Sequence, residues 1–153
     1  MSNKKNISVR LSVSDLRRLK EVSAKLGIKD SDLFRFSVKM TLSSLMPLLK
    51  QDIKGVDFLL AMLDAGSDLL RYFEFDSHLL DRVVNDQVEA DKKVSMMDID
   101  LVAIAALNER YLISQLRDIG ETVNSNDDPL YVLKRYLQKK YCASKQSEEA
   151  EIA

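Results

Sequence analysis

This chain of 153 residues contains few of the residues that break helices or that build disulfide and metal chemistry. It has 4 Gly, 2 Pro, no Trp and one cysteine, Cys142. A single cysteine excludes a disulfide within the chain and a zinc site built on cysteines, and it favours a reducing compartment. The scarcity of Gly and Pro, beside many Leu, Asp, Lys and Arg, predicts a largely helical chain.

Long apolar runs are also missing from the sequence. No stretch approaches the ~18 apolar residues that a membrane-spanning helix needs. The basic start of the chain leads into no signal-peptide hydrophobic region. We therefore expect a cytoplasmic protein that does not associate with membranes.

Sequence signatures of catalysis and of cofactor binding are absent as well. The sole histidine, His78, has no neighbouring cysteine or second histidine that could complete a metal site. Neither a glycine-rich phosphate loop nor a nucleophile elbow occurs. We expect no enzyme, no metal and no cofactor.

Charge is distributed unevenly along the chain. Residues 1–46 contain ten Lys and Arg against four Asp and Glu, whereas the remainder contains 13 against 20. The overall net charge of −1 therefore combines a basic N-terminal part with an acidic remainder. Such an asymmetry indicates that the basic part meets a polyanion.

Polar and apolar residues alternate strictly from Asn6 to Leu11. This period predicts a β-strand with Ile7, Val9 and Leu11 on one face. A lone strand of this length needs a partner for its main-chain groups, and no second strand follows nearby. We expect a second copy of the chain to supply that partner in a two-stranded antiparallel ribbon.

Helical spacing follows directly after this segment. Ser12 is a candidate N-cap with Asp15 in the capping-box position, and Gly27 is expected to end the first helix. Ser31 is expected to cap a second helix that ends near Pro47. The apolar stripes that predict the two helices are Leu16, Leu19, Val22 and Leu26, followed by Phe34, Val38, Leu42 and Leu45.

A strand, a helix, a Gly turn and a second helix in this order resemble the ribbon-helix-helix family of Arc-, MetJ- and CopG-like DNA-binding proteins. The resemblance covers Ile7 to about Leu42 and depends on Ile7–Leu11, on Leu26-Gly27 and on Ser31–Arg35. It implies a homodimer whose ribbon enters the major groove of double-stranded DNA. The residues expected to contact bases are Asn6, Ser8 and Arg10. Those expected to contact phosphates are Lys4, Lys5, Lys29, Asp30 and Ser31.

The remaining sequence predicts helices throughout. Ser95 with Asp98 forms a second capping box, which is expected to open one long helix that reaches Ile119. Asp128-Pro129 is a typical start for the last helix. The expected fold class is mainly α, with a ribbon-helix-helix domain at 1–46, a helical domain at 47–143 and a disordered acidic tail at 144–153. The helical domain is expected to mediate oligomerisation, or to bind an effector or a protein partner.

The favoured function is a sequence-specific DNA-binding transcription regulator, a repressor associated with the nucleoid. One alternative is an antitoxin with a DNA-binding N-terminal domain and a toxin-binding C-terminal part. Another is an accessory protein of plasmid partition or DNA transfer. A helical scaffold that binds no DNA is the fourth hypothesis.

Overall fold

The computed structural model describes residues 4–105 and 107–143. The chain divides into two compact units, Met1–Ser44 (unit 1) and Leu45–Ala153 (unit 2). Every regular element within the described residues is a helix. None of these helices is both long enough and apolar enough to cross a bilayer.

The predicted strand is wrong, and with it the ribbon-helix-helix fold class. Residues 4–12 form no regular secondary structure, and the described part of the chain contains no strand that could pair with them. An alternating pattern selects a strand only where neighbouring main chain supplies a hydrogen-bonded ladder. This segment, residues 4–12, is exposed along its whole length, and we call it the arm.

Unit 1 is built from two helices, α1 (Val13–Leu26) and α2 (Asp30–Leu45). The last residue of α2, Leu45, already belongs to unit 2. Ser12 caps α1 as predicted, because its hydroxyl accepts from the main-chain N–H of Asp15 at 3.1 Å. Gly27 ends α1 with a φ of 67°, in the left-handed region that glycine adopts without steric cost. The predicted cap at Ser31 is wrong, since α2 already begins at Asp30.

Unit 1 has no apolar core of its own. Ser23 is the one buried side chain among its described residues, and its hydroxyl donates to Asp30 and to the carbonyl of Lys20. The apolar side chains of both helices remain largely in solvent, with Leu26 61% exposed and Phe36 59% exposed. A helical pair without a buried apolar face lacks the interaction that stabilises most short helices.

Unit 2 contains the core of the chain, and its described residues form six α-helices. A 3₁₀ turn precedes the first helix, and a second 3₁₀ turn lies between the third and the fourth. In chain order the elements are the turn Met46–Leu49, α3 (Val56–Asp64), α4 (Ser67–Phe73), α5 (Ser77–Val84), the turn Ala90–Lys92, α6 (Met96–Ala105), α7 (Glu109–Asp118) and α8 (Pro129–Tyr141).

The prediction of a single long helix from Ser95 to Ile119 is wrong, because the structure has two separate helices there, α6 and α7. Asn108 adopts an extended conformation, and its side chain accepts from the main-chain N–H of Tyr111 at 3.1 Å. It therefore serves as an N-cap and starts a new helix. The separate helices allow α7 to turn back and pack against α6.

Helix α6 lies at the centre of unit 2 and packs against α5, α7 and α8. It buries residues on more than one side, which explains why it lacks the polar face of an ordinary surface helix. Helix α8 packs against α3, α6 and α7. The fully buried side chains of the core include Leu59, Leu70, Leu80, Val84, Ile99, Val102, Leu112, Leu116, Leu133 and Leu137.

Salt bridges join α8 to the rest of unit 2. Lys134 pairs with Asp64 of α3, Arg135 with Glu121 at 3.8 Å, and Lys140 with Asp98 of α6 at 2.7 Å. Helix α8 contains no acidic residue, so each of these cations finds its partner elsewhere in unit 2. The charges of α8 therefore serve to attach this helix to its neighbours.

Replacing a buried leucine should destabilise unit 2 far more than replacing an exposed one. Leu116→Ala removes a fully buried side chain, and we expect the free energy of unfolding to fall by about 2–5 kcal/mol. The matched control is Leu49→Ala, at a side chain that is 73% exposed, and it should change stability by less than about 0.5 kcal/mol. Urea unfolding followed by circular dichroism measures both. Equal effects would contradict the assignment of the core.

Candidate functional site

Unit 1 presents a set of cations that have no acidic partner. Arg17 pairs with Glu21 at 4.0 Å, and Arg35 pairs with Asp32 at 3.0 Å. The other eight cations of unit 1 are exposed, and none forms an ion pair with the described residues. We call them the basic set: Lys4, Lys5, Arg10, Arg18, Lys20, Lys25, Lys29 and Lys39.

The acids of unit 1 are all engaged within unit 1, so they leave the basic set unneutralised. Glu21 and Asp32 belong to the two ion pairs. Asp15 accepts a hydrogen bond from the hydroxyl of Ser12, and Asp30 accepts one from Ser23. The uneven charge seen in the sequence is therefore not cancelled by local ion pairing, and unit 1 offers a polyanion several cations at once.

The predicted base-contact residues lie together on the arm. Asn6, Ser8 and Arg10 are exposed, as are the neighbouring Lys4 and Lys5. None of the five makes a hydrogen bond or an ion pair with the described residues. Their donors and acceptors are therefore available to a ligand, in a segment that is not held by regular secondary structure.

The other predicted phosphate contacts lie at the start of α2. The carbonyl of Lys29 accepts from the N–H groups of Asp32 and Leu33 at 3.0 and 3.1 Å, so Lys29 occupies the capping position. The main-chain N–H groups of Asp30 and Ser31 have no acceptor among the described residues. The carboxylate of Asp30 is bonded to Ser23 and would repel an anion, so any contribution of Asp30 to phosphate binding comes from its main chain. No hydrogen bond or ion pair joins this group to the arm.

Unit 2 contains one buried carboxylate, Asp98, in the first turn of α6. Its Oδ2 accepts from Ser95 Oγ at 2.8 Å, from Lys140 Nζ at 2.7 Å and from the hydroxyl of Tyr141. Its Oδ1 accepts from the hydroxyl of Tyr136 at 2.9 Å. The predicted capping box of Ser95 and Asp98 is confirmed, and we call these five residues the Asp98 cluster.

The cluster keeps its charges in their ionised forms. Burial by itself raises the pKa of Asp98, but the hydrogen bonds from Lys140, Tyr141, Ser95 and Tyr136 outweigh this and hold its pKa below the ordinary value. Burial lowers the pKa of Lys140, yet its bonds to Asp98 and Tyr136 raise that pKa above normal. Burial raises the pKa of Tyr136, and the bond to Asp98 adds to this rise.

The geometry of the Asp98 cluster suits a structural role better than a catalytic one. Four donors already saturate the carboxylate, and no buried polar side-chain atom in the described chain lacks a partner. Sequence reasoning found Ser95 and missed Tyr136 and Lys140. Their spacing of four residues places both on one face of α8, but only the folded chain brings that face to Asp98.

Unit 2 also contains two cavities at its surface. One, of about 420 Å³, lies between residues 52–57 and 87–92, with Tyr141 at its edge. The other, of about 360 Å³, lies where α4, α7 and α8 meet. The described residues contain no group of three or more His, Cys, Asp and Glu side chains arranged to hold a metal ion.

Comparisons with protein-family models, with characterised proteins and with solved structures found no match to this chain.

The Asp98 cluster should make stability depend on pH in the acid range. Asp98→Asn removes the charge that Lys140 pairs with, so we expect it to lower the free energy of unfolding at pH 7 by about 3 kcal/mol. The contribution of a carboxylate with a lowered pKa is complete above its ordinary pKa, 3.8, and is lost as the pH falls through its value in the folded protein. The difference between wild type and Asp98→Asn should thus be constant from about pH 5 to 8 and shrink below about pH 4.

Urea unfolding at a series of pH values measures this difference. The matched control is Asp86→Asn, at an exposed side chain, which should follow wild type at every pH. A constant difference between wild type and Asp98→Asn down to pH 2 would show that folding does not lower the pKa of Asp98.

Proposed function

We propose that this protein is a transcription regulator, a repressor, that binds double-stranded DNA through unit 1. The observation that supports this proposal is the basic set, eight exposed cations without an acidic partner in a unit of 44 residues. Each cation that contacts a phosphate releases condensed counterions, and this release favours binding. The described residues of unit 2 also include exposed cations without an ion pair, Lys139 of α8 among them, but acids outnumber cations in this part of the chain, whereas unit 1 carries a net positive charge.

The arm supplies the chemistry for sequence recognition. Its exposed main chain, which is outside regular secondary structure, is narrow enough to follow a groove of the duplex, as basic arms of other DNA-binding proteins do. Arg10 can donate two hydrogen bonds to guanine, Asn6 can bond adenine and Ser8 can serve several bases. Lys4 and Lys5 neutralise adjacent phosphates, and Lys29 with Ser31 at the start of α2 adds a further phosphate contact.

We propose further that the protein binds DNA as a homodimer formed through unit 1. A unit of this size without a buried apolar side chain gains too little from its own packing to be stable alone. The exposed Leu26 and Phe36, with the other apolar residues of α1 and α2, gain burial when a second copy covers them. A second copy also doubles the number of cations that face the duplex.

Occupancy of DNA is sufficient for the proposed role. The polar groups of the Asp98 cluster are bonded to one another and hold α8 against α6, which supports a structural role for them. A protein of this kind acts by covering its site and by excluding other proteins from it. We therefore favour repression over enzymatic modification of DNA.

Removal of Arg10 should weaken DNA binding and blur its sequence preference. Duplexes selected from a random pool by wild type provide the probe, and fluorescence anisotropy measures Kd between 50 and 200 mM salt, a range chosen for the expected salt dependence. We expect Arg10→Ala to cost about 1–3 kcal/mol on the selected sequence and to relax the preference at one base. The control is Lys139→Ala, an exposed cation of unit 2, which should bind like wild type. Equal losses in the two variants would overturn the role of the arm.

A charge placed on the apolar surface of unit 1 should separate the two copies. Leu26→Asp is expected to convert a dimer into a monomer in sedimentation equilibrium and to weaken DNA binding as a consequence. The control is Leu49→Asp, an equally drastic change at an exposed leucine of unit 2, which should leave the dimer intact. A wild-type chain that is monomeric at micromolar concentration would refute the dimer proposal.

A further inference from the structure

The cavity where α4, α7 and α8 meet has the size of a small-molecule site. Its volume of about 360 Å³ lies within the range of pockets that hold small ligands. Helices α4, α6, α7 and α8 of unit 2 contribute to its walls, so its shape is set by the folded unit and not by one loop. The groups that line it differ in chemistry from one wall to the next.

One wall carries a cation without an ionic partner. Arg71 lies in the last turn of α4 and is exposed. Although Glu109 and Asp128 line the same cavity, Arg71 forms no ion pair within 4 Å with any described residue. A guanidinium in this position is available to a carboxylate, which it binds through two parallel hydrogen bonds.

The facing groups are acidic. Glu109, at the start of α7, makes no ion pair with the described residues. Asp128 uses Oδ1 to accept from the main-chain N–H of Leu130 at 3.0 Å, which leaves Oδ2 for another donor. These two carboxylates suit an ammonium group. A simple anion would be repelled by the two acids, and a simple cation would be repelled by Arg71, whereas a ligand with both charges satisfies both walls.

Leucine side chains line another part of the cavity. Leu112 is fully buried beneath it, whereas Leu130 is half-buried and Leu107 is 66% exposed between α6 and α7, so these two offer apolar surface. An apolar group placed against them removes apolar surface from water on both partners. The lining therefore matches a ligand with a carboxylate, an ammonium and an apolar side chain.

We propose that this cavity binds an α-amino acid with an apolar side chain. Arg71 binds its carboxylate, Glu109 and Asp128 bind its ammonium group, and Leu107 and Leu130 contact its side chain. Binding at this site is independent of the proposed DNA function, whereas a role as effector of DNA binding rests on that function.

Isothermal titration calorimetry of the full chain tests the proposal with L-leucine, L-methionine and L-phenylalanine. We expect at least one of them to bind. Its N-acetyl derivative, which lacks the ammonium charge, and its amide, which lacks the carboxylate, should each bind at least tenfold more weakly. No binding by any of the three amino acids, or equal binding of the derivatives, would overturn the proposal.

Variants assign the binding to this cavity. Arg71→Gln and Glu109→Gln should each weaken binding at least tenfold, while circular dichroism shows an unchanged helical content. The matched control is Arg82→Gln, an exposed arginine in the last turn of α5, which should bind like wild type. Wild-type affinity in Arg71→Gln would place the ligand elsewhere and overturn the assignment.

The same amino acid is then added to the DNA-binding assay of wild type. Because calorimetry needs no DNA, a protein that binds the amino acid and no duplex would contradict the proposed function and leave the cavity proposal intact. A protein that binds duplex and no amino acid would overturn the cavity proposal and leave the proposed function intact.

Discussion

The buried carboxylate of Asp98 is the constraint on which the arrangement of unit 2 depends. Removing a charge from water costs several kcal/mol unless other groups replace the lost hydrogen bonds, and here donors from Ser95, Tyr136, Lys140 and Tyr141 replace them. Three of these donors come from α8, so all three bonds to Asp98 form together when α8 lies in one position along α6. Since α8 also packs against α3 and α7, this placement of α8 positions most of the core.

Helix α8 and unit 1 use their cations in opposite ways. In unit 2, three of the four cations of α8 pair with acids of other segments and thereby attach the helix to the bundle. In unit 1, most cations have no acid near them, and the few acids are engaged in caps and local pairs. Both segments are rich in cations, so a count of cations alone would not distinguish these arrangements. The proposed function depends on the unpaired cations of unit 1 together with its net positive charge.

Local features of the fold could be predicted from the sequence, and long-range ones could not. The cap at Ser12, the end at Gly27 and the capping box at Ser95 involve groups within a few residues of each other, and each is present. The strand at 6–11 needed a partner that the described chain does not contain. The partners of Asp98 on α8 lie 38 to 43 residues away, beyond any helical period. The candidate DNA contacts on the arm were predicted from local pattern as well, and the fold leaves their side chains exposed.

The short helices of unit 2 have a consequence for synthesis of the chain on the ribosome. Helices α3 to α7 have between 7 and 10 residues, lengths at which an isolated helix is marginal in water. Helix α8 packs against several of these helices and completes their shared core, and it is translated after all of them. Unit 2 therefore cannot complete its fold during translation until α8 has left the exit tunnel, and until then the nascent segment exposes apolar surface that chaperones recognise.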